Sequence, residues 1–113
     1  MKIINQTKGE VIADKASVAK SLIDRTVGLL NRAKLMPGEG LIIQPCNSIH
    51  TFFMRFSIDV LFVDKDNRII KIIPNFQPWR LSAVSWRSSY VIELPAGVIA
   101  ATATADSDTL QII

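Results

Sequence analysis

This sequence has little of what builds crosslinked, metal-bound or membrane-spanning proteins. Its 113 residues include one cysteine and one histidine. One cysteine cannot form a disulfide within the chain, and the two residues together fall short of the ligand set of a structural zinc site. No apolar run approaches the ~18 residues of a membrane-spanning helix, and residues 1–6 lack the apolar stretch of a secretory signal. We therefore expect no metal, no cofactor, no membrane span and a cytoplasmic location.

The composition is that of an ordered globular protein. Hydrophobic residues make up 49% of the chain and charged residues 20%, which is far from the balance of a disordered chain. The length suits one domain over residues 1–113, without a linker or an internal repeat. The net charge of +3 comes from 13 scattered lysines and arginines. Without a dense basic block, nucleic acid is permitted as a partner but not indicated.

Apolar and β-branched runs predict strands along most of the chain. The runs Lys2–Gln6 and Glu10–Ala13 flank a glycine and predict a hairpin, with continuation of the second arm to residue 19 left open. A second hairpin is predicted from Ile58–Val63 and Arg68–Ile73, because turn-forming residues separate them. The further predicted strands are Leu41–Ile43, Tyr90–Leu94 and Leu110–Ile113.

Two short helices are predicted. Ser21 and Asp24 have the spacing of a capping box, and apolar residues follow at helical spacing, which predicts a helix over 22–32. Pro95 suits the first position of a second helix over 95–101.

One long loop is predicted over 74–89, because this segment contains two prolines and two tryptophans without a sustained period. The predicted fold class is α+β, with a mostly antiparallel β-sheet and two short helices. Closure of the sheet into a partial barrel is left open.

Three blocks of sequence together resemble one known family. They are Arg25-Thr26-Val27-Gly28-Leu29-Leu30, the segment 47–64, and Glu93-Leu94-Pro95-Ala96-Gly97. In this order and spacing they are similar to the bacterial and archaeal family catalogued as domain of unknown function 192. The resemblance covers nearly the whole chain and implies a compact, β-rich α+β domain. It implies no activity, because the family name assigns none.

Five residues of these blocks are given structural roles: Arg25, Gly28, Glu93, Pro95 and Gly97. We interpret Glu93 as a charge near a strand end that accepts hydrogen bonds from backbone or arginine donors. Gly97 is expected to answer a packing need.

The segment 46–59 holds the single cysteine and the single histidine beside a run of aromatic residues. Cys46 and His50 lie on one side of either a helix or a strand, but only a helix or a tight turn brings them within about 6 Å. Cys46 is interpreted as a small buried residue or as a nucleophile, and His50 as a core histidine or as a general base. Phe52 and Met54 belong either to the core or to the apolar wall of a pocket.

Asp59 is the most informative acidic residue. By strand alternation it shares a face with Leu61 and Val63 in a run that is apolar on both faces, so we expect its carboxylate to be at least partly buried. A buried carboxylate needs a partner, and the expected partner is one of four arginines: Arg25, Arg55, Arg80 or Arg87. Its role is either to fix the fold or to act as a functional acid.

The predicted loop carries the pair Trp79-Arg80 and repeats it as Trp86-Arg87. Such pairs can stack on bases or bind anions, and they can equally pack on their own domain.

Three functions follow from these residues. The first is a non-catalytic domain that binds a small molecule or a protein partner in a cleft near His50 and Asp59. The second is an enzyme that uses His50 and Asp59, with Cys46 as an optional nucleophile, on an anionic or carbonyl substrate. The third is nucleic-acid binding through the loop. The candidate ligand-binding residues are His50, Phe52, Met54, Arg55, Asp59, Trp79, Arg80, Trp86 and Arg87.

Overall fold

The computed structural model describes residues 1–19, 35–44, 48–49, 54–80 and 83–113. In chain order the strands are β1 Ile3–Asn5, β2 Glu10–Ala13, β3 Lys15–Ala19, β4 Glu39–Ile43, β5 Ser48–Ile49, β6 Ile58–Val63, β7 Ile69–Phe76, β8 Ala83–Val84, β9 Tyr90–Pro95 and β10 Leu110–Ile112. Helix α1 spans Val98–Ala101. The fold is therefore β-rich with little helix in these residues.

The strands form three sheets, of which two build the cores. The larger sheet has the order β3-β4-β9-β6-β7, and a three-stranded sheet has the order β10-β1-β2. Strands β5 and β8 pair separately. Strand β3 runs parallel to β4, and the other pairs are antiparallel. The mostly antiparallel sheet is confirmed, with one parallel pair added.

The five-stranded sheet is open. Its edges are β3 and β7, so the described strands do not close into a barrel. Lys71 and Pro74 lie on the β7 edge. Both residue types are common where a sheet must not continue into another chain.

The two predicted hairpins are confirmed. Strand β1 pairs with β2, and β6 pairs with β7 through a turn in which Asn67 has φ 61°. The chain does not continue the first hairpin beyond Ala13, because β3 enters the larger sheet instead. Strand β7 extends through Pro74 to Phe76, so the predicted loop begins too early, and β8 interrupts it.

The two predicted helices have different outcomes. The helix over 22–32 lies outside the described residues. The helix predicted from Pro95 is wrong at its start, because Pro95 ends β9 opposite Ile58 and α1 begins only at Val98. In the described part of the chain α1 is the one helix, and it is too short to cross a membrane.

Two hydrophobic cores lie on opposite faces of the five-stranded sheet. Successive residues of β6 and β9 alternate between them, and every residue of β6 is buried. The first core is covered by the three-stranded sheet and α1; it includes Ile3, Ile12, Ile42, Leu61, Val63, Tyr90, Ile92, Leu94, Ile99 and Leu110. The second core includes Leu35, Ile43, Met54, Ile58, Val60, Phe62 and Val91.

A buried polar cluster joins the β1–β2 turn to the turn before β10. The Asn5 side-chain amide donates to Asp108 Oδ2 at 2.9 Å and to Thr104 Oγ1 at 3.1 Å. Ala105 N–H also donates to Asp108 Oδ2 at 2.9 Å, and Lys8 Nζ lies 3.4 Å from Asp108 Oδ1. Burial acts to raise the pKa of Asp108, but these hydrogen bonds outweigh it and the pKa is lowered.

Candidate functional site

The Asp59 carboxylate is an internal anchor in this structure. Its side chain is 1% exposed and faces the first core, as the alternation predicts. Oδ1 accepts a hydrogen bond from Asn75 N–H at 2.8 Å, and Oδ2 accepts from Gly97 N–H at 3.1 Å and Ile99 N–H at 2.8 Å. Among the described residues, backbone donors thus replace the expected arginine partner. The carboxylate ties β6 to β7 and to the start of α1.

Gly97 owes its place to backbone conformation. It precedes α1 with φ 101°, in the left-handed region that glycine adopts without strain. A Cβ atom built there would meet nothing within 4 Å. The packing need expected for Gly97 is therefore wrong, and the requirement is its positive φ.

Glu93 is buried more deeply than its sequence position suggests. It lies in β9 between Leu41 of β4 and Val60 of β6, and its relative exposure is 0%. Alternation along β9 places it on the side of the second core, because Val91 belongs to that core. Glu93 does lie near the end of β9, and it is fully buried because β9 is an interior strand. The Oε2 atom is shut off from solvent.

The predicted cleft near Asp59 is not assembled among its described members. Met54 is 2% exposed in the second core, across the sheet from Asp59, and Arg55 is exposed. Five further residues named from the sequence lie outside the described residues: Arg25, Gly28, Cys46, His50 and Phe52.

The two Trp-Arg pairs are accessible. Trp86 is 83% exposed and Trp79 is 60% exposed, and Arg80 and Arg87 are exposed beside them. Trp79 has φ 64°, an uncommon conformation for a bulky residue.

The chain leaves the sheet before the first pair and rejoins it after the second pair, and these two points lie at opposite ends of β6. The first pair follows β7, which ends at Phe76 opposite Ile58. The second pair precedes Ser89, whose N–H donates to the Val63 carbonyl at 2.8 Å. Ile58 and Val63 are the two ends of β6, about 17 Å apart at the usual strand rise of about 3.3 Å per residue. The structure therefore does not anchor the two pairs at one place.

A cavity of about 230 Å³ is lined by residues of both the three-stranded sheet and the five-stranded sheet and by the turn between β6 and β7. Its apolar wall comes from four side chains: Met1, Val18, Ile42 and Ile112. Its polar lining comes from Gln44, Asn67 and Tyr90. Val18 and Ile42 are opposite each other on β3 and β4. An apolar wall with few polar groups is the usual form of a small-molecule site.

Tyr90 supplies the buried polar group of the cavity. Its relative exposure is 4%, and its hydroxyl donates to Asn67 Oδ1 at 2.8 Å. Burial, and then the negative charge of Asp64, raise the pKa of Tyr90 to about 12. The phenol is therefore uncharged at neutral pH.

Comparison with known proteins gives the family. The model of the family described as Uncharacterized ACR, the domain of unknown function 192, matches residues 3–112. The chain belongs to this family. Its relatives include a UPF0127 protein of Thermococcus sibiricus, 35% identical over 86% of this chain and 65% of that protein. A UPF0127 protein of Pyrococcus abyssi is also 35% identical, over 85% of this chain and 84% of that protein. The chain thus spans less than two thirds of the first relative.

A solved structure shares the fold. The crystal structure of a protein of unknown function from Novosphingobium aromaticivorans matches with a TM-score of 0.82 and 22% identity. The match covers 99% of this chain and 84% of that one. Membership of the domain of unknown function 192 family therefore agrees with the architecture and brings no named activity.

In this family member, sequence reasoning missed the cavity and its polar residues. The sequence does hold one signal for them. Tyr90 is the single tyrosine and begins an apolar strand, and a buried tyrosine hydroxyl needs a hydrogen-bond partner. The partner, Asn67, comes from the turn between β6 and β7. Among the described residues no three His, Cys, Asp or Glu side chains are grouped to hold a metal ion.

Proposed function

We propose that this protein binds a small molecule without catalysing a reaction, and that the ligand occupies the cavity between the sheets. The observation that carries the proposal is this cavity of about 230 Å³, with apolar walls and a buried tyrosine hydroxyl. The cavity opens to solvent at Met1 and Val18, and its volume exceeds the roughly 150 Å³ of a closed engineered cavity that accepts benzene, so it has room for a small ring.

A binding role is favoured over catalysis by Asp59. The enzyme hypothesis needs this carboxylate at an accessible cleft beside His50. Asp59 is 1% exposed and accepts three backbone hydrogen bonds, so it is poorly placed to take a proton from a substrate.

The test uses small aromatic alcohols and heteronuclear NMR spectra of the full chain. We expect benzyl alcohol to shift the amide signals of Val18, Ile42 and Tyr90. The variant Val18→Trp places an indole in the mouth of the cavity and should abolish these shifts. Val11→Trp is the matched control, because Val11 is 53% exposed on β2 and does not line the cavity. Shifts spread over other surfaces, or unchanged in Val18→Trp, would refute the proposal.

Binding of single-stranded nucleic acid is the second candidate. The exposure of Trp86, at 83%, favours it, because exposed tryptophans stack on bases. The attachment of the two Trp-Arg pairs at opposite ends of β6 argues against this function. An affinity for an oligonucleotide that falls steeply with salt and is lost in Trp86→Ala would support this function.

We also propose that residues 1–113 act as one domain in the cytoplasm. The pairing of β1 with β10 joins the two ends of the chain, and β6 and β9 contribute to both cores. The single cysteine suits a reducing compartment. Cell fractionation would test the location.

A further inference from the structure

The hydrogen bond between Tyr90 and Asn67 determines what the cavity can recognise. A phenol has one proton and two acceptor lone pairs. In this structure the proton goes to Asn67 Oδ1 at 2.8 Å. No other hydrogen bond involves the Tyr90 hydroxyl among the described residues, so its oxygen offers acceptor capacity at a partly buried position.

A ligand group beside that oxygen must therefore donate. A carbonyl or ether oxygen at that place would face the lone pairs of the phenol and would gain no hydrogen bond from it. An O–H or N–H group would be satisfied. Gln44 and Asn67 also line the cavity, but both are exposed, and the donors of their amide groups can exchange a ligand for water. Discrimination between ligands thus belongs to Tyr90.

We infer that the cavity is selective for compact apolar molecules whose single polar group is a hydrogen-bond donor, such as small aromatic or alicyclic alcohols. This inference rests on the proposed binding function and adds the ligand class. The size follows from the volume of about 230 Å³, and the donor requirement follows from the direction of the Tyr90 hydrogen bond.

The protonation state of Tyr90 agrees with this. Burial and the charge of Asp64 raise its pKa to about 12, so the phenol keeps its proton for Asn67 at neutral pH. The acceptor character of the oxygen toward a ligand is therefore constant over the physiological range.

The experiment compares two probes of nearly equal size, benzyl alcohol and benzaldehyde, by NMR titration of the full chain. The alcohol donates and the aldehyde only accepts. We expect the alcohol to bind about three- to tenfold more tightly, the gain typical of one net hydrogen bond. Tyr90→Phe keeps the ring and removes the oxygen, so the two probes should bind this variant about equally.

A second variant keeps the hydroxyl and changes its direction. Asn67 has φ 61°, which glycine adopts readily, so Asn67→Gly removes the acceptor without backbone strain. The Tyr90 proton is then free for a ligand carbonyl, and the preference for alcohol should fall or reverse. The matched control is Asp66→Asn in the same turn, which should keep the preference.

The outcomes separate the two proposals. Equal or tighter binding of benzaldehyde to the unmodified chain would overturn the donor requirement and leave the binding function standing. A preference for alcohol that persists in Tyr90→Phe would also overturn it. If neither probe shifts the signals of the cavity residues, the proposed binding function itself fails.

Discussion

Among single residues, Asp59 shows most clearly how one side chain organises its surroundings. The first backbone N–H groups of a helix have no partner within the helix, and here the Asp59 carboxylate accepts from Gly97 and Ile99 at the start of α1. Its other oxygen accepts from Asn75 in the edge strand. The buried Asp59 carboxylate therefore accepts hydrogen bonds from three backbone N–H groups that would otherwise lack a partner away from solvent.

We predict that Asp59→Asn destabilises the protein strongly. The asparagine NH₂ group would face backbone N–H donors in place of an acceptor oxygen. The expected loss is about 2–4 kcal/mol in the free energy of unfolding, the usual cost of breaking a buried charged network. Urea denaturation measures it, with Asp66→Asn as the control because Asp66 is exposed. Equal stability of the two variants would contradict the anchoring role.

Tyr90 gives a second prediction, which is easily read because the chain has one tyrosine. Its phenolate absorbance should appear with a midpoint near pH 12 in the folded protein and near the ordinary value of about 10 in urea. Since the folded pKa is the higher one, this residue lowers stability only as the pH rises from about 10 towards 12. Asp64→Asn should lower the folded midpoint and Asp66→Asn should not. A folded midpoint near 10 would contradict the burial of the hydroxyl.

The burial of Asp59 follows from local sequence, but its partners do not. Side chains alternate along a strand, and this run is apolar on both faces, so the sequence predicts which face Asp59 occupies and that it is buried. The three donors are 16, 38 and 40 residues away along the chain, so no local pattern indicates them. An arginine was the expected partner because it is the obvious counter-charge, whereas backbone groups carry no sequence signature.

Among elements, the hairpins were predictable and the sheet order was not. Each hairpin pairs two strands that are adjacent in sequence, β1 with β2 and β6 with β7, so local patterns are enough to predict it. The insertion of β9 between β4 and β6, and the passage of β3 into the larger sheet, depend on pairings across distant sequence. For the same reason the depth of Glu93 could not be predicted, because it depends on having a strand on each side.

Gly40 in strand β4 lies in close contact with neighbouring strands. A Cβ atom there would lie 3.1 Å from Ala13 Cβ and 3.3 Å from Leu94 Cδ2, closer than most packed side chains. Gly40 thus allows the end of β2 to approach β4 closely. We expect Gly40→Ala to lower the free energy of unfolding by about 1–3 kcal/mol, the usual cost of overpacking.

A double-mutant cycle isolates this contact. Ala13→Gly removes the methyl group that opposes the new Cβ, so it should partly rescue Gly40→Ala even though it is mildly destabilising alone. Chemical denaturation of the two single variants and the double variant measures the coupling. Additive effects would show that the close approach of the two strands is not the source of the loss.

At the scale of the whole molecule, the cavity is a consequence of how two sheets meet. Its lining residues run from Met1 to Ile112, and strands from both sheets contribute to it. The sequence predicts most of these strands, but a space between layers depends on the angle and offset at which they pack. Residue types therefore indicate the segment 46–59 as a candidate site, because it holds the single cysteine and the single histidine, whereas no local pattern indicates the cavity.

The ends of the chain are held together by the pairing of β1 with β10 and by the polar cluster of Asn5, Thr104 and Asp108. Asp108 connects segments about 100 residues apart, so its ionisation bears on the stability of the whole molecule. Its pKa is lowered in the folded state, because hydrogen bonds from Asn5, Ala105 and Lys8 outweigh the effect of burial. The stability that it adds is therefore present above its unfolded pKa of about 3.9 and is lost as the pH falls through the lower folded value.

We predict that Asp108→Asn lowers the free energy of unfolding by about 1–2 kcal/mol at pH 7, because one oxygen remains but the pairing with Lys8 is lost. The difference from the unmodified protein should shrink below about pH 4, where unfolded aspartate takes up its proton. Urea denaturation across this pH range measures both effects. Asp106→Asn, which changes an exposed acid nearby, should leave the pH dependence almost unchanged. Parallel stability curves for Asp108→Asn and the unmodified chain would show that the cluster acts through shape alone and that the charge of Asp108 adds nothing.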